Sequence, residues 1–228
     1  MVDCGLGPRA ARSGLERLGV SPAAIEAILV THEHSDHIGG VARFAARHGI
    51  RVMATAGTAR GFRHTVPPRI ELFGLHEGFE AGPFSVRPVP VPHDAREPSQ
   101  FVFSNGAATL GIVTDLGRPT PHVIECLEGC DALALECNHD EALLADGPYP
   151  EPLKRRVGGD LGHLSNTQAA SLLAALDTGR LRHVVALHLS EQNNTPALAQ
   201  AALATVLGCR PGEVGVARQR EGLAWRDL

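Results

Sequence analysis

A run of ten residues, Thr31-His32-Glu33-His34-Ser35-Asp36-His37-Ile38-Gly39-Gly40, constrains this chain more than any other feature. It follows an apolar, β-prone stretch, Ala27 to Thr31, and leads into a helical pattern over 38–48, so it reads as the turn between a strand and a helix. Extended backbone has a period of two, which puts His32 and His34 on one side, and the turn into the helix brings Asp36 and His37 round to the same place. Imidazole nitrogen and carboxylate oxygen are the ligands of borderline metals, and these four side chains are more than one ion needs. Two neighbouring divalent ions follow, zinc first, with manganese or iron suited by the same donors. The plainer alternative, a solvated turn in which Ser35 or Asp36 caps the helix, explains one polar residue and leaves the histidines without a reason.

The chain has 228 residues, enough for a sizeable core, and is read as one domain spanning 1–228. No apolar run approaches the roughly 20 residues that cross a bilayer, and no export or lipid-acceptor pattern opens the chain, so a cytoplasmic protein without a membrane partner is expected. Five cysteines at irregular spacing argue for free thiols rather than a disulfide framework. The formal charge of -4 speaks against wholesale wrapping of nucleic acid but leaves room for a local basic groove. Histidine is the unusual count, 12 in a chain with only 4% aromatic residues, and histidine does specific work more often than it fills space.

Short β-rich runs alternate with Ala-rich helical patterns. Strands are expected at 27–31, 51–54, 86–91, 101–104, 108–114, 132–136 and 183–187, and helices at 9–19, 38–48, 119–128, 166–176 and 196–207. Ser165 or Asn166, and Thr195 before Pro196, are candidate N-caps. Asn105-Gly106 is expected to turn a hairpin with positive φ at both residues. The stretches 88–98 and 146–162 read as loops, and Val2 to Gly5 as the end of a strand whose hairpin partner is missing. The class is layered α/β with antiparallel hairpins.

Further ligands should lie where strands run out. His93 follows 86–91, Asp115 follows the run ending at Thr114, and His188 ends Val184-Val185-Ala186-Leu187-His188, so all three would open onto one sheet edge. Singly each reads as a turn residue; beside the first cluster they read as ligands.

The His-x-His-x-Asp-His run followed by a single His, a single Asp and a final His resembles the metallo-β-lactamase-fold hydrolase superfamily over nearly the whole chain. The resemblance implies a four-layer αββα sandwich, here without its first N-terminal strands. It also implies a ligand partition in which His32, His34 and His93 hold one ion, Asp36, His37 and His188 the other, and Asp115 bridges. Asp3-Cys4-Gly5-Leu6, Leu135 to Asp140, Gly162 to Asn166 and Leu187 to Asn194 are similar to the YycJ/WalJ-type group, whose members are regarded as DNA exonucleases. The Cys137 position is commonly serine in that group.

A binuclear phosphodiesterase acting on DNA from an end is the expected function, with a metal-bridging hydroxide as nucleophile. Asp36 and His163 are the expected catalytic residues; His163, just before the helix cap at 165–166, is the expected general acid, and related phosphodiesterases carry a comparable extra histidine. Asn138 and His139 orient a ligand or touch substrate, the former reading preferred for His139. Lys154-Arg155-Arg156 grips phosphates or is simply a solvated helix face. The remaining histidines, His48, His64, His76, His122 and His183, are read as surface or structural. Alternatives are a small-molecule or cyclic phosphodiesterase and a carbonyl hydrolase of a lactone, thioester or lactam.

Overall fold

The computed structural model describes residues 1–228 except His64, and the chain divides into two units. One comprises residues 1–90 and 95–101, the other residues 91–94 and 102–228.

In the first unit, helix α1 (Pro8–Arg17) precedes strand β1 (Ala27–Leu29), followed by α2 (Ser35–Ile38), α3 (Val41–His48), β2 (Arg51–Ala54), α4 (Ala56–Ala59) and β3 (Ile70–Leu72). β1, β2 and β3 form a parallel sheet in that order, with Ile28 opposite Val52 and Met53 opposite Glu71. β1 is buried at every position, as expected of a parallel strand covered on both faces. Its core is Ile28, Val30 and Val52 against Val41, Phe44 and Ala45 of α3, which sit at helical spacing. β4 (Phe79–Ala81) and β5 (Phe84–Pro90) form an antiparallel hairpin whose turn carries Gly82 at φ +61.

Two expectations change here. The helix expected over 38–48 is broken at Gly39-Gly40. A Cβ at Gly40 would lie 1.8 Å from the Leu6 carbonyl oxygen, and one at Gly5 would lie 1.7 Å from that of Asp36. The glycines allow the N-terminal segment to lie directly on the turn, with Gly40 N–H donating to Cys4 O (2.8 Å) and Cys4 N–H to His37 O (2.9 Å). Val2, read as part of a strand end, makes a parallel bridge to Leu29. Part of the expected loop 88–98 continues β5 to Pro90.

The chain passes between units within β6 (Ser99–Ser104). The second unit continues with β7 (Thr109–Val113), α5 (Pro121–Leu127), β8 (Ala132–Glu136), α6 (Glu141–Asp146), α7 (Glu151–Val157), α8 (Asn166–Ala174), β9 (His183–Leu187), α9 (Pro196–Leu207) and β10 (Gly215–Val216). β7, β8, β9 and β10 are parallel neighbours in that order. Ser165 caps α8 in a capping box with Gln168, and Thr195 caps α9 with Pro196 at its start. At Asn105-Gly106 only the glycine takes positive φ (+85), because the Asn105 side chain instead accepts from Ala107 and Ala108 N–H and closes the turn itself. The stretch 146–162, read as a loop, contains α7. Among the described residues, no helix is long and apolar enough to cross a membrane.

The register pairs Val113 with Leu135 and Glu136 with Leu187. Asp115, Glu136 and His188 therefore leave the carboxyl edge of three adjacent parallel strands together.

Candidate metal centre

In the first unit the chain stays buried from β1 through His32 and then turns. His34 occupies the cap position of α2 without a side-chain capping bond, so neither Ser35 nor Asp36 is used as a cap. The His32 ring lies 4.5 Å from that of His34 and 4.2 Å from that of His37, centroid to centroid. Asp36, its side chain 65% exposed, brings Oδ2 to 3.4 Å from His37 Nε2. The turn thus gathers the four side chains expected of it.

Behind these rings stands Asp3, in the left-handed region at φ +53, which aspartate tolerates better than most residues. Its Oδ1 accepts the Thr31 N–H at 2.8 Å, and its Oδ2 accepts both the Thr31 hydroxyl and His37 Nδ1–H at 2.8 Å. With its hydrogen given to Asp3, the Thr31 oxygen accepts Nδ1–H of His32 at 3.0 Å. Acceptors on this side fix the proton of both rings at Nδ1 and leave the lone pair on Nε2, the atom that could ligate a metal.

In the second unit, His93 is buried and donates Nδ1–H to Gly162 O at 3.0 Å, so its Nε2 also carries the lone pair. That Nε2 lies 3.7 Å from Oδ1 of the buried Asp115. His163 Nδ1 and His188 Nδ1 are 3.4 and 3.8 Å from the same oxygen. Glu136, fully buried at the end of β8, accepts His163 Nδ1–H (2.8 Å) and His188 Nδ1–H (3.0 Å) on Oε1, and the N–H groups of Leu116 (2.9 Å) and Leu164 (3.1 Å) on Oε2. One donor atom from each of Asp115, Glu136, His163 and His188 lies within 4.8 Å of the others. Asn138 donates its amide to His188 O at 3.0 Å and holds that residue in the left-handed region, φ +57.

The buried charges shift the imidazoles in opposite directions. Burial pulls His163 down, but its hydrogen bond to Glu136 and the negative charge of Glu136 and Asp115 outweigh that and hold it above the usual histidine value. Burial dominates at His93 and His139 and lowers both.

His139 is 2% exposed and, among the described residues, no partner meets its Nδ1. The basic run lies on α7 and is mostly committed locally: Lys154 donates to Ala145 O and approaches Glu151, and Arg156 pairs with Asp94 at 2.6 Å. Arg155 is the exposed cation left over among the described residues. His48 packs on Phe44, His122 lies against Cys126 and His183 meets Asp227 O, and with His76 they join no donor cluster among the described residues. His64 lies outside the described residues. All five cysteines are free, four of them buried.

Reading the sequence did not single out Glu136 or Asp3 as working residues. The available signals were a carboxylate closing the apolar run Ala132-Leu133-Ala134-Leu135, and an aspartate in the Asp3-Cys4-Gly5-Leu6 stretch.

Residues 1–189 match the model of the beta-lactamase superfamily domain, and the chain belongs to this family: its fold is the metallo-β-lactamase fold and it is a metal-dependent hydrolase. Within the family it stands in the YycJ/WalJ branch. It is 32% identical over 211 residues to exodeoxyribonuclease YycJ of Bacillus anthracis, covering 91% of this chain and 80% of the relative. It is 30% identical over 222 residues to exodeoxyribonuclease WalJ of Streptococcus pneumoniae, covering 95% and 82%. The crystal structure of the metallo-β-lactamase-fold protein YhfI from Bacillus subtilis superposes with a TM-score of 0.73 at 20% identity, covering 98% of this chain and 85% of that one, and shares its fold.

Proposed function

We propose that the chain, acting as one catalytic domain, is a two-metal phosphodiesterase that removes nucleotides from an end of DNA. The observation that carries this reading is the His163–Glu136 pair: an imidazole whose Nδ1–H is held at 2.8 Å by a fully buried carboxylate, beside the buried Asp115. Phosphodiester cleavage needs a proton for the departing alkoxide, and such a pair is built to hold one.

In this reading His32, His34 and His93 would hold one divalent ion and Asp36, His37 and His188 the other, with Asp115 serving both. The donors fit. Thr31, Asp3, Gly162 and Glu136 take the Nδ1–H of His32, His37, His93 and His188, which leaves Nε2 as the ligating nitrogen in each. When bound, the two ions, zinc first among the candidates, supply Lewis-acid stabilisation of phosphate oxygens and an activated water at neutral pH.

His163 keeps its Nδ1–H on Glu136 and delivers the proton on Nε2 to the leaving oxygen. Glu136 stabilises the imidazolium before transfer and orients the ring. Asn138 fixes the His188 backbone, and Asp36 is kept as ligand and catalytic carboxylate. The names of the YycJ and WalJ relatives favour DNA over a small diester or a carbonyl substrate, and four buried free thiols suit a reducing cytoplasm.

The test is a metal-reconstituted assay on end-labelled single- and double-stranded DNA and RNA beside a chromogenic phosphodiester. Mononucleotides released progressively from DNA are the expected result. Cleavage of the chromogenic diester alone, or of a lactone or thioester alone, would replace this reading.

A further inference from the structure

A cavity of about 590 Å³ lies among α6, α7 and the start of α8, lined in part by His139, Glu141, Lys154, Arg155, Ser165 and Gln168. Its size lies in the range of pockets that hold a small organic ligand.

Most of its polar groups are already committed. The Ser165 hydroxyl donates to Glu141 (2.9 Å) and accepts Gln168 N–H (3.1 Å); Gln168 Oε1 accepts Ser165 N–H (2.9 Å); Lys154 is held by Ala145 O beside Glu151. Three groups make no side-chain hydrogen bond or ion pair among the described residues: the exposed Arg155 guanidinium, the Gln168 amide N–H₂ and Nδ1 of His139, a residue 2% exposed whose Nε2 lies toward Gly158 in the cavity wall. All three can offer an N–H donor, Arg155 from α7, Gln168 from α8 and His139 from the segment before α6; of the two carboxylates in the wall, Glu141 is taken up by Ser165 and Glu151 by Lys154, so the Arg155 charge is left for a ligand. The complementary ligand is an anion with several oxygens. A phosphomonoester presents three peripheral oxygens to three donors, whereas a diester inside a strand presents two.

The cavity also shares its backbone with the catalytic pair. His139 lies three residues beyond Glu136, Ser165 lies two beyond His163, and the two are joined by a parallel bridge. Asn138 N–H donates to Leu164 O at 3.0 Å and Asn166 N–H to His139 O at 2.8 Å. At the rise of extended chain, two to three residues place the cavity wall about 7–10 Å from the pair, roughly the reach of one nucleotide.

We propose that this cavity holds the phosphomonoester of a nucleotide, on Arg155, Gln168 and His139, next to the bond being cleaved. The inference rests on the reading of the chain as an exonuclease and adds to it the group by which an end is recognised. The phosphomonoester has two sources, the terminal phosphate of the strand or the released mononucleotide.

The test is binding of deoxyadenosine 5′-monophosphate to the purified protein, with and without chelator, followed by calorimetry and by the His139 ring resonances, beside deoxyadenosine. Binding of the monophosphate but not the nucleoside, a shift at His139, and a loss of about 10- to 100-fold in affinity in Arg155→Ala are expected. Gly158→Val is the second variant. Its Cβ meets Leu144 Cδ2 at 3.4 Å and the added methyls narrow the cavity, so affinity should fall without removing a charge. Tighter binding of phosphate-ended than hydroxyl-ended oligonucleotides assigns the pocket to the strand end. The mononucleotide binding without that preference assigns it to product, and either result supports the site. Equal binding of monophosphate and nucleoside, or unchanged monophosphate binding in both variants, overturns it. Because binding is read without turnover, a wild-type protein that cleaves no phosphodiester would count against the proposed reaction and leave this result to stand or fall separately.

Discussion

Oε1 of Glu136 lies 2.8 Å from Nδ1 of His163, while Oε2 of the same carboxylate is occupied by the N–H groups of Leu116 and Leu164. The carboxylate is therefore pinned by backbone from two distant segments before it touches the imidazole, and the imidazole inherits that placement. His163→Gln is expected to lower turnover by about 10²- to 10⁴-fold with metal content unchanged. Glu136→Gln should fall in the same range, since an amide cannot stabilise the imidazolium as a buried carboxylate does. Metal analysis beside single-turnover rates checks both. A metal-poor His163→Gln would make His163 a ligand and leave the acid to another group.

Asp3 gathers three donors, from the Thr31 backbone, the Thr31 hydroxyl and His37. Removing it in Asp3→Ala frees both the His37 tautomer and, through Thr31, that of His32. Affinity for a divalent ion should drop about 10- to 100-fold, measured by competition with a chromogenic chelator. Wild-type affinity in this variant would detach Asp3 from the metal site.

Gly40→Ala would push a methyl to within 1.8 Å of the Leu6 carbonyl oxygen, an atom of the backbone that cannot swing aside. A loss of about 1–3 kcal/mol in urea unfolding is expected. Gly74→Ala, where nothing lies within 4 Å, is the control and should stay within about 0.5 kcal/mol.

Asp131 is held below the ordinary carboxylate range chiefly by the Thr109 N–H at 2.8 Å, with Arg180 adding its charge against the cost of burial. A group whose pKa is depressed on folding contributes stability above its unfolded pKa, about 3.9, and loses it as pH falls through the folded value. The melting temperature of wild type should therefore exceed that of Asp131→Asn at neutral pH, and the gap should close as pH drops below about 4. A gap independent of pH would mean that shape, not charge, is what the asparagine lacks.

Much of this was legible in the residues. β2, β8, β9 and α9 fall at the bounds that their apolar runs and caps predict, because each is a short buried run with clear punctuation. α7 was invisible for the opposite reason: it buries no side chain and so leaves no periodic stripe. β3 and β4 are three residues each and largely uncovered. The break at Gly39-Gly40 depends on a segment more than thirty positions away, which no local window contains. The candidate ligands could be named from the sequence because they cluster in one turn or end strands. Glu136 was not, because its donors come from Leu116, Leu164, His163 and His188, and only the folded sheet brings those together.

His188 adopts a backbone shape that side chains branched at Cβ avoid, φ +57, and does so at the outlet of a core strand with Asn138 fastened to its carbonyl. The position is thus constrained twice, once by the role proposed for its ring and once by what its main chain must tolerate. A saturation library screened only for solubility should return glycine, asparagine and aspartate there ahead of valine, isoleucine and threonine, so tolerance to replacement at this codon reports local geometry and is blind to chemistry.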